Sequence, residues 1–212
     1  EMGRRGADLL AGRGRILTHC NTGALAAPGR GTALSAIAEL ADRGELESVL
    51  VAETRPLLQG ARLTVYELRR LGIAHELIVD GAAAGLIAGD QVDAVVVGCD
   101  RVAANGDVAN KVGTYAHALA AAAAQIPFVI VGPCSTIDLA CPNGSSIAIE
   151  ARAGDEVGAV SVDGERYQIV PVGTPCRNPA FDITPAGLVT ALVTERGVAS
   201  PVNAETVAAL LA

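Results

Sequence analysis

The chain has 212 residues, half of them hydrophobic, and a net charge of −7, enough for one α/β domain of ordinary size with a full core. With no Trp, two Phe, three Tyr and no Lys/Arg run, it lacks both the basic footprint and the stacking platforms of a nucleic-acid binder. No stretch reaches the length of a membrane span, since the alanine run Ala118 to Ala124 is cut off by Gln125 and Pro127.

Asp8 to Gly12 reads as the tail of a helix, ended by Gly12 and Gly14. Arg15 to Cys20 is a short strand running into the polar cluster Thr18-His19-Cys20-Asn21-Thr22-Gly23. Gly29, Gly31 and Thr32 open a helix through Leu34, Ile37, Ala38 and Ala41, whose three- and four-residue spacing lays one face on a sheet. Ser48 to Glu53 is the second strand, followed by the loop Thr54 to Gly60 and a helix from Ala61 to Leu71. His75 to Asp80 is the third strand, and Ala82 to Ile87 a short helix. Val95-Val96-Val97 marks a fourth strand buried on both faces. It ends in Gly98-Cys99-Asp100-Arg101, and a loop carrying Asn105-Gly106-Asp107 and Asn110-Lys111 leads to a helix over Lys111 to Ala124. Pro127 to Gly132 is the fifth strand.

This alternation predicts an α/β fold, a Rossmann-like, doubly wound and mainly parallel sheet with order 3-2-1-4-5 in its first five strands. In that order the ends of the first and fourth strands are neighbours, at the switch point where such sheets bind ligands. Cys20 and Asp100, eighty positions apart, then face one crevice. Beyond Gly132 the expectation is short strands at Ile147 to Ile149 and Tyr167 to Val172. Thr184-Pro185 reads as the start of a helix through Leu188, Val189, Leu192 and Val193, and Asn203 to Ala212 as a last helix. No linker divides residues 1–212, so a single domain is expected.

Cys20 is open to three readings: nucleophile, acid, or inert buried thiol. Helix N–H groups near Gly31 favour a lowered pKa and a thiolate. Asp100, set among Val97, Cys99 and Val102, is expected to hold a proton more readily than a solvated carboxylate. A thiol facing a carboxyl group suits moving a proton or hydride between adjacent carbons of a sugar. Asn110 and Lys111 before a helix suit gripping a phosphate or hydroxyls, and Gln59 lies in a loop that reaches the same crevice. His19 points away from Cys20's face and reads as structural, while His75 and His117 have no partner that the sequence names and are assigned no role. Gly29-Arg30-Gly31 is only a fragment of a dinucleotide fingerprint. Cys134 and Cys141 do not have a zinc spacing. Five cysteines, an odd count, fit a reducing compartment, and the cytoplasm is the expected location. A chain opening Glu1-Met2 reads as a piece cut from something longer.

In the stretches Ile16 to Ala26 (ILTHCNTGALA), Glu53 to Thr64 (ETRPLLQGARLT), Gly98 to Tyr115 (GCDRVAANGDVANKVGTY), Ser135 to Leu139 (STIDL) and Asn178 to Pro185 (NPAFDITP), the chain resembles the methylthioribose-1-phosphate isomerases. Their wider superfamily includes ribose-1,5-bisphosphate isomerase and the regulatory α, β and δ subunits of translation initiation factor 2B. The resemblance implies a Rossmann-like catalytic domain and an aldose–ketose isomerase of methionine salvage. Its substrate is 5-methylthioribose 1-phosphate, its product 5-methylthioribulose 1-phosphate, and it needs no metal or nucleotide cofactor. The partners it implies are a phosphorylated pentose and a second copy in a homodimer, with no nucleic acid or membrane. By motif match Cys20 falls on the family's catalytic cysteine and Asp100 on its proton-donating aspartate, while Gln59, Asn110 and Lys111 fall on substrate-binding positions. Two departures stand out. Cys99 replaces the family's usual alanine, and the family's N-terminal helical domain, with its phosphate-binding Arg-Gly-Ala-Pro segment, has no counterpart here. Arg5-Gly6-Ala7-Asp8 is only a partial look-alike. The alternatives are a non-catalytic regulatory relative of the initiation-factor kind and ribose-1,5-bisphosphate isomerase.

Overall fold

The computed structural model describes residues 1–162 and 164–212. Helix α1 (Met2–Leu9) leads through Gly12, at φ +76°, into β1 (Arg15–Thr18). Helix α2 (Ala33–Asp42) and β2 (Ser48–Ala52) follow. A widened π-type turn at Gly60–Thr64 then runs directly into α3 (Val65–Arg70). Next come β3 (His75–Ile78), α4 (Ala83–Ala88) and β4 (Ala94–Val97). Strands β5 (Arg101–Ala103) and β6 (Val108–Lys111) precede α5 (Thr114–Ala123) and β7 (Phe128–Val131). The remainder holds β8 (Ile137–Asp138), a one-turn helix α6 (Asp155–Gly158), β9 (Ala159–Val162), β10 (Glu165–Gln168) and β11 (Phe181–Thr184). It closes with β12 (Ala191–Val193), β13 (Val198–Ala199) and α7 (Ala204–Ala209).

Seven strands form the central sheet in the order β3-β2-β1-β4-β7-β12-β13. All its pairings are parallel except the last, between β12 and β13. The order expected for the first five strands is therefore the one observed, with β7 as the fifth. The strands are buried on both faces because helices cover both. Val95, Val97, Phe128 and Ile130 point into one apolar layer with Ala118 and Ala121 of α5. Ala94, Val96, Val129 and Val131 point into the other with Leu34 and Ile37 of α2. Each such Val, Leu or Ile contributes about 1.5–3 kcal/mol on burial, against a net of about 1 kcal/mol per backbone hydrogen bond. The two side-chain layers, more than the four-residue ladders, hold the sheet together.

Three expectations fail. The polar stretch after β4 is a β-hairpin rather than an open loop. Asn105-Gly106-Asp107 closes it, with the Ala103 N–H donating to the Asp107 carbonyl at 2.9 Å and Gly106 at φ +91°. Its strands β5 and β6 join β8 and β11 in a second sheet of order β11-β6-β5-β8. The helix expected from Thr184 does not form. Leu192 pairs with Ile130 on one side and Ala199 on the other, extending the main sheet. Ala191, Leu192 and Val193 are buried throughout, and a short run buried on all sides has no periodicity to separate helix from strand. Ile147 to Ile149 is not a strand either. The Ile147 N–H closes a tight turn onto the Gly144 carbonyl, and Ala151 nearby forms an isolated bridge with Pro179. The last helix does form, capped by Asn203, whose side chain accepts from the Thr206 N–H. Among the described residues no helix is long and apolar enough to cross a membrane.

Candidate active site

Strands β1 and β4 run side by side, with Leu17 opposite Val95. Their carboxyl ends deliver Cys20 and Asp100 to the same edge of the sheet. The β5–β6 hairpin then folds back on Asp100, whose N–H donates to the Ala109 carbonyl at 2.9 Å. That return places Asn110 and Lys111 beside the two strand ends. The charge of Lys111 reaches Cys20, Asp100 and His19 alike, lowering the pKa of each, and Asp100 in turn raises that of Cys20. Groups from two segments some eighty positions apart, His19 and Cys20 on one and Asp100 and Lys111 on the other, thus share one electrostatic neighbourhood.

Cys20 is half-buried and sits at φ +63°, a left-handed backbone that non-glycine residues rarely adopt. It is held on both sides by hydroxyls. Its N–H donates to Thr54 Oγ1 at 2.9 Å, and its carbonyl accepts from Thr64 Oγ1 at 2.6 Å. Thr54 itself is at φ +67° and Leu58 at φ +58°. Thr54 is fixed by Asp80, whose carboxylate accepts from the Thr54 and Arg55 N–H groups at 2.8 and 2.7 Å. Strained residues gathered at two strand ends are a mark of a site whose geometry is imposed by its surroundings. The expected thiolate is not supported. Burial raises the Cys20 pKa, outweighing the Asn21 N–H and Lys111, so the group is a thiol at neutral pH.

Asp100 keeps an open side to solvent, yet crowding by protein raises its pKa while Lys111 pulls the other way. The direction agrees with the sequence expectation. The neighbouring Cys99 points elsewhere. Its sulfur lies 3.3 Å from Thr136 Oγ1, and a Cβ on Gly132 would come within 2.3 Å of it. Burial pushes this thiol up to about 12, so it is inert filler beside the acid.

Lys111 Nζ stands 4.9 Å from the centre of the Phe181 ring. Asn110 is buried and donates to Thr114 Oγ1 at 2.9 Å. Opposite Asn110 on β11 is Asp182, which the sequence reading passed over. Its carboxylate accepts from the Gly113 and Tyr115 N–H groups at 2.7 and 3.1 Å, capping α5 from a distant strand. Only the stretch NPAFDITP hinted at it. Gln59 enters the π-type turn, where Gly60 packs so tightly that a Cβ would fall 1.8 Å from the Ala52 carbonyl oxygen. Gln59 Oε1 is buried with no hydrogen-bond partner among the described residues. A buried acceptor left unpaired is costly, and a ligand donor would satisfy it.

The sequence also hid two links. Glu67 is buried and accepts from Asn21 Nδ2 at 2.9 Å and the Ala24 N–H at 2.7 Å, fixing the loop after Cys20. His117 meets His19 in the core. Among the described residues no three His, Cys, Asp or Glu side chains converge to hold a metal ion. A cavity of about 750 Å3 lies beyond Gln59, between Pro56–Arg62 and the α6–β10 segment; Cys20, Asp100 and Lys111 do not line it.

Known proteins share this architecture and much of this sequence. The chain is 54% identical over 210 residues to the methylthioribose-1-phosphate isomerase of Anaeromyxobacter dehalogenans (strain 2CP-C), a match covering 99% of this chain and 61% of that protein. It is 53% identical over 196 residues to the protein of the same name from Klebsiella pneumoniae (strain 342), covering 92% of this chain and 57% of that one. The chain thus spans about three fifths of the length of these curated relatives. The crystal structure of 5-methylthioribose 1-phosphate isomerase from Pyrococcus horikoshii OT3 superimposes with a TM-score of 0.92 at 43% identity, covering 99% of this chain and 57% of that one. The subunit delta of translation initiation factor eIF-2B from A. fulgidus gives 0.89 at 39% identity, covering 97% of this chain and 60% of that one. The family model for the initiation factor 2 subunits matches residues 1–201, the whole of the central sheet and both polar strand ends, and the chain belongs to that initiation factor 2 subunit family.

Proposed function

We propose that this chain carries the catalytic domain of an aldose–ketose isomerase that converts 5-methylthioribose 1-phosphate to 5-methylthioribulose 1-phosphate. The observation that carries the proposal is the gathering of Cys20, Asp100 and Lys111 at one switch point, in a chain whose curated relatives bear that enzyme's name. Opening the sugar ring adds a proton to the ring oxygen as its bond to C1 breaks. The hydrogen on C2 moves to C1, and O2 releases a proton as the carbonyl forms at C2. Asp100, its carboxyl made less acidic by crowding, gives the first proton and, once ionised, receives the second. Lys111 offsets negative charge that develops on oxygen. In a direct shift the C2 hydrogen passes to C1 with its electron pair while Cys20, a thiol at neutral pH, packs against the reacting carbons and keeps its proton. A proton route instead needs Cys20 ionised, the thiolate taking the C2 proton and returning it to C1. Gln59 Oε1 accepts from a sugar hydroxyl, and Asn110 and Lys111 bind hydroxyl or phosphate oxygens.

A homodimer and a cytoplasmic location belong to the same reading. The location draws support from five cysteines that are all unpaired. The test is direct. The full-length protein, incubated with 5-methylthioribose 1-phosphate, is followed by phosphorus NMR for the ketose phosphate. Conversion in heavy water distinguishes the routes, because solvent deuterium at C1 requires a proton carrier and its absence favours a hydride shift. A second reading, a ligand-binding regulatory subunit, draws on the likeness to the A. fulgidus protein. Saturable binding of the sugar phosphate without conversion would favour it.

A further inference from the structure

Two imidazoles lie buried directly behind Cys20, and the proposed chemistry uses neither. His19 is 1% exposed and His117 2%. Their rings meet edge to face with centroids 4.8 Å apart, and His117 Nε2 is 3.3 Å from His19 Nδ1. On its other side, His19 Nε2 lies 2.9 Å from the carbonyl oxygen of Val112. A carbonyl can only accept, so His19 carries its hydrogen on Nε2. A neutral ring then leaves Nδ1 bare. Thr54 Oγ1 is 3.4 Å from it, but that hydroxyl directs its proton to the Ala52 carbonyl at 3.0 Å. The donor to Nδ1 is therefore His117 Nε2–H.

The surroundings keep both rings uncharged. Burial lowers the pKa of His19, and the Lys111 charge lowers it further, against the Val112 hydrogen bond and the Asp80 carboxylate 3.9 Å from Nδ1. Burial together with His19 pushes His117 down to about 3. Space is made for the arrangement at Gly113, whose φ is +105° and where a Cβ would press within 3.2 Å of the His19 ring.

Position in the chain gives these contacts their meaning. His19 immediately precedes Cys20, and Val112 immediately follows Lys111. One hydrogen bond thus joins the backbone beneath the thiol to the backbone beneath the ammonium. We infer that His19 is a positioning residue, whose neutral Nε2–H tautomer ties the loop carrying Cys20 to the turn carrying Lys111 and fixes the distance between their side chains. The inference deepens the isomerase reading and rests on it. The Lys111 charge is one of the influences that hold down the Cys20 pKa, so a loosened tie raises that pKa as well as misplacing the sulfur.

Glutamine at position 19 can still donate to the Val112 carbonyl, whereas asparagine is a methylene too short. In the full-length protein, His19→Gln is expected to keep kcat within about threefold of wild type, while His19→Asn loses at least about tenfold with KM little changed. In His19→Asn the pH midpoint of Cys20 alkylation, read by peptide mass spectrometry, is expected to rise by about half a unit or more. Wild-type kcat and midpoint in a folded His19→Asn protein would overturn the inference, as would equal losses in both variants with an unmoved midpoint. Nitrogen-15 spectra of wild-type imidazoles decide the matter even if His19→Asn fails to fold. A neutral Nε2–H His19 between about pH 6 and 8 is expected, and an Nδ1–H tautomer or an imidazolium there would overturn it. A wild-type protein that converts no substrate would sink the isomerase reading alone, since the alkylation midpoint and the tautomer would still report on the tie.

Discussion

The N–H of Cys20 donates to the hydroxyl of Thr54 at 2.9 Å, and both residues hold a left-handed backbone, at φ +63° and +67°. Each strained residue is braced by the other across the ends of β1 and β2. Thr54→Val keeps the shape and removes the acceptor. It is expected to cost about 1–3 kcal/mol of stability, because the amide is left unpaired, and to lower turnover as Cys20 loosens. Thr54→Ser is expected to behave nearly as wild type. Denaturation curves and initial rates of the two variants check this, and equal behaviour of Val and Ser would contradict it.

Gln59 makes the opposite trade. Its buried Oε1 lacks a partner among the described residues, so the folded protein gains little from it. Gln59→Leu is expected to leave the melting temperature unchanged or slightly raised while KM for the sugar phosphate rises by about tenfold, the loss of roughly one hydrogen bond. A destabilised variant with an unchanged KM would make Gln59 a structural residue.

Burial raises the Cys20 thiol from its ordinary 9.0, with Lys111 partly offsetting it. The rate of Cys20 alkylation is therefore expected to climb with pH through a midpoint above 9.0. Lys111→Met removes the offset and should move the midpoint higher still. A midpoint near neutrality in the wild type would restore the thiolate that the sequence had suggested.

The histidine pair makes stability fall in acid. His117 takes up its proton near 6.5 when unfolded but only near 3 when folded, so the unfolded chain binds more protons as pH falls. Stability fully present above pH 6.5 is lost progressively toward about pH 3, on the order of a few kcal/mol at the limit. His19, also lowered, acts in the same sense. Asp100 and Asp182, both raised by burial, act against it. The urea midpoint of wild type is expected to drop between about pH 7 and 5 more steeply than that of His117→Gln. Equal slopes would contradict the burial of a neutral His117.

What the sequence disclosed was what local patterns encode. Val95-Val96-Val97, bounded by Asp93 and Gly98, read as a buried strand, and alternation with helices such as Ala33–Asp42 left few strand orders, of which 3-2-1-4-5 is the commonest. From that order alone, the ends carrying Cys20 and Asp100 had to be neighbours. What stayed hidden depends on contacts between distant segments. Leu192 reads as helix or strand until Ile130 is there to pair with it. Asp182 becomes a cap only once β11 lies against β6. His19 and His117 show no sequence spacing that links them, and the Cys20 pKa turns on burial that a helix N-terminus nearby could not reveal.

Everything proposed for the site turns on a transferable proton at Asp100. Asp100→Asn keeps the side chain's shape and removes that proton. In the full-length protein, with 5-methylthioribose 1-phosphate at saturation, kcat is expected to fall by about 10³-fold with the melting temperature unmoved. A folded Asp100→Asn protein turning over within about threefold of wild type would contradict the proposed chemistry.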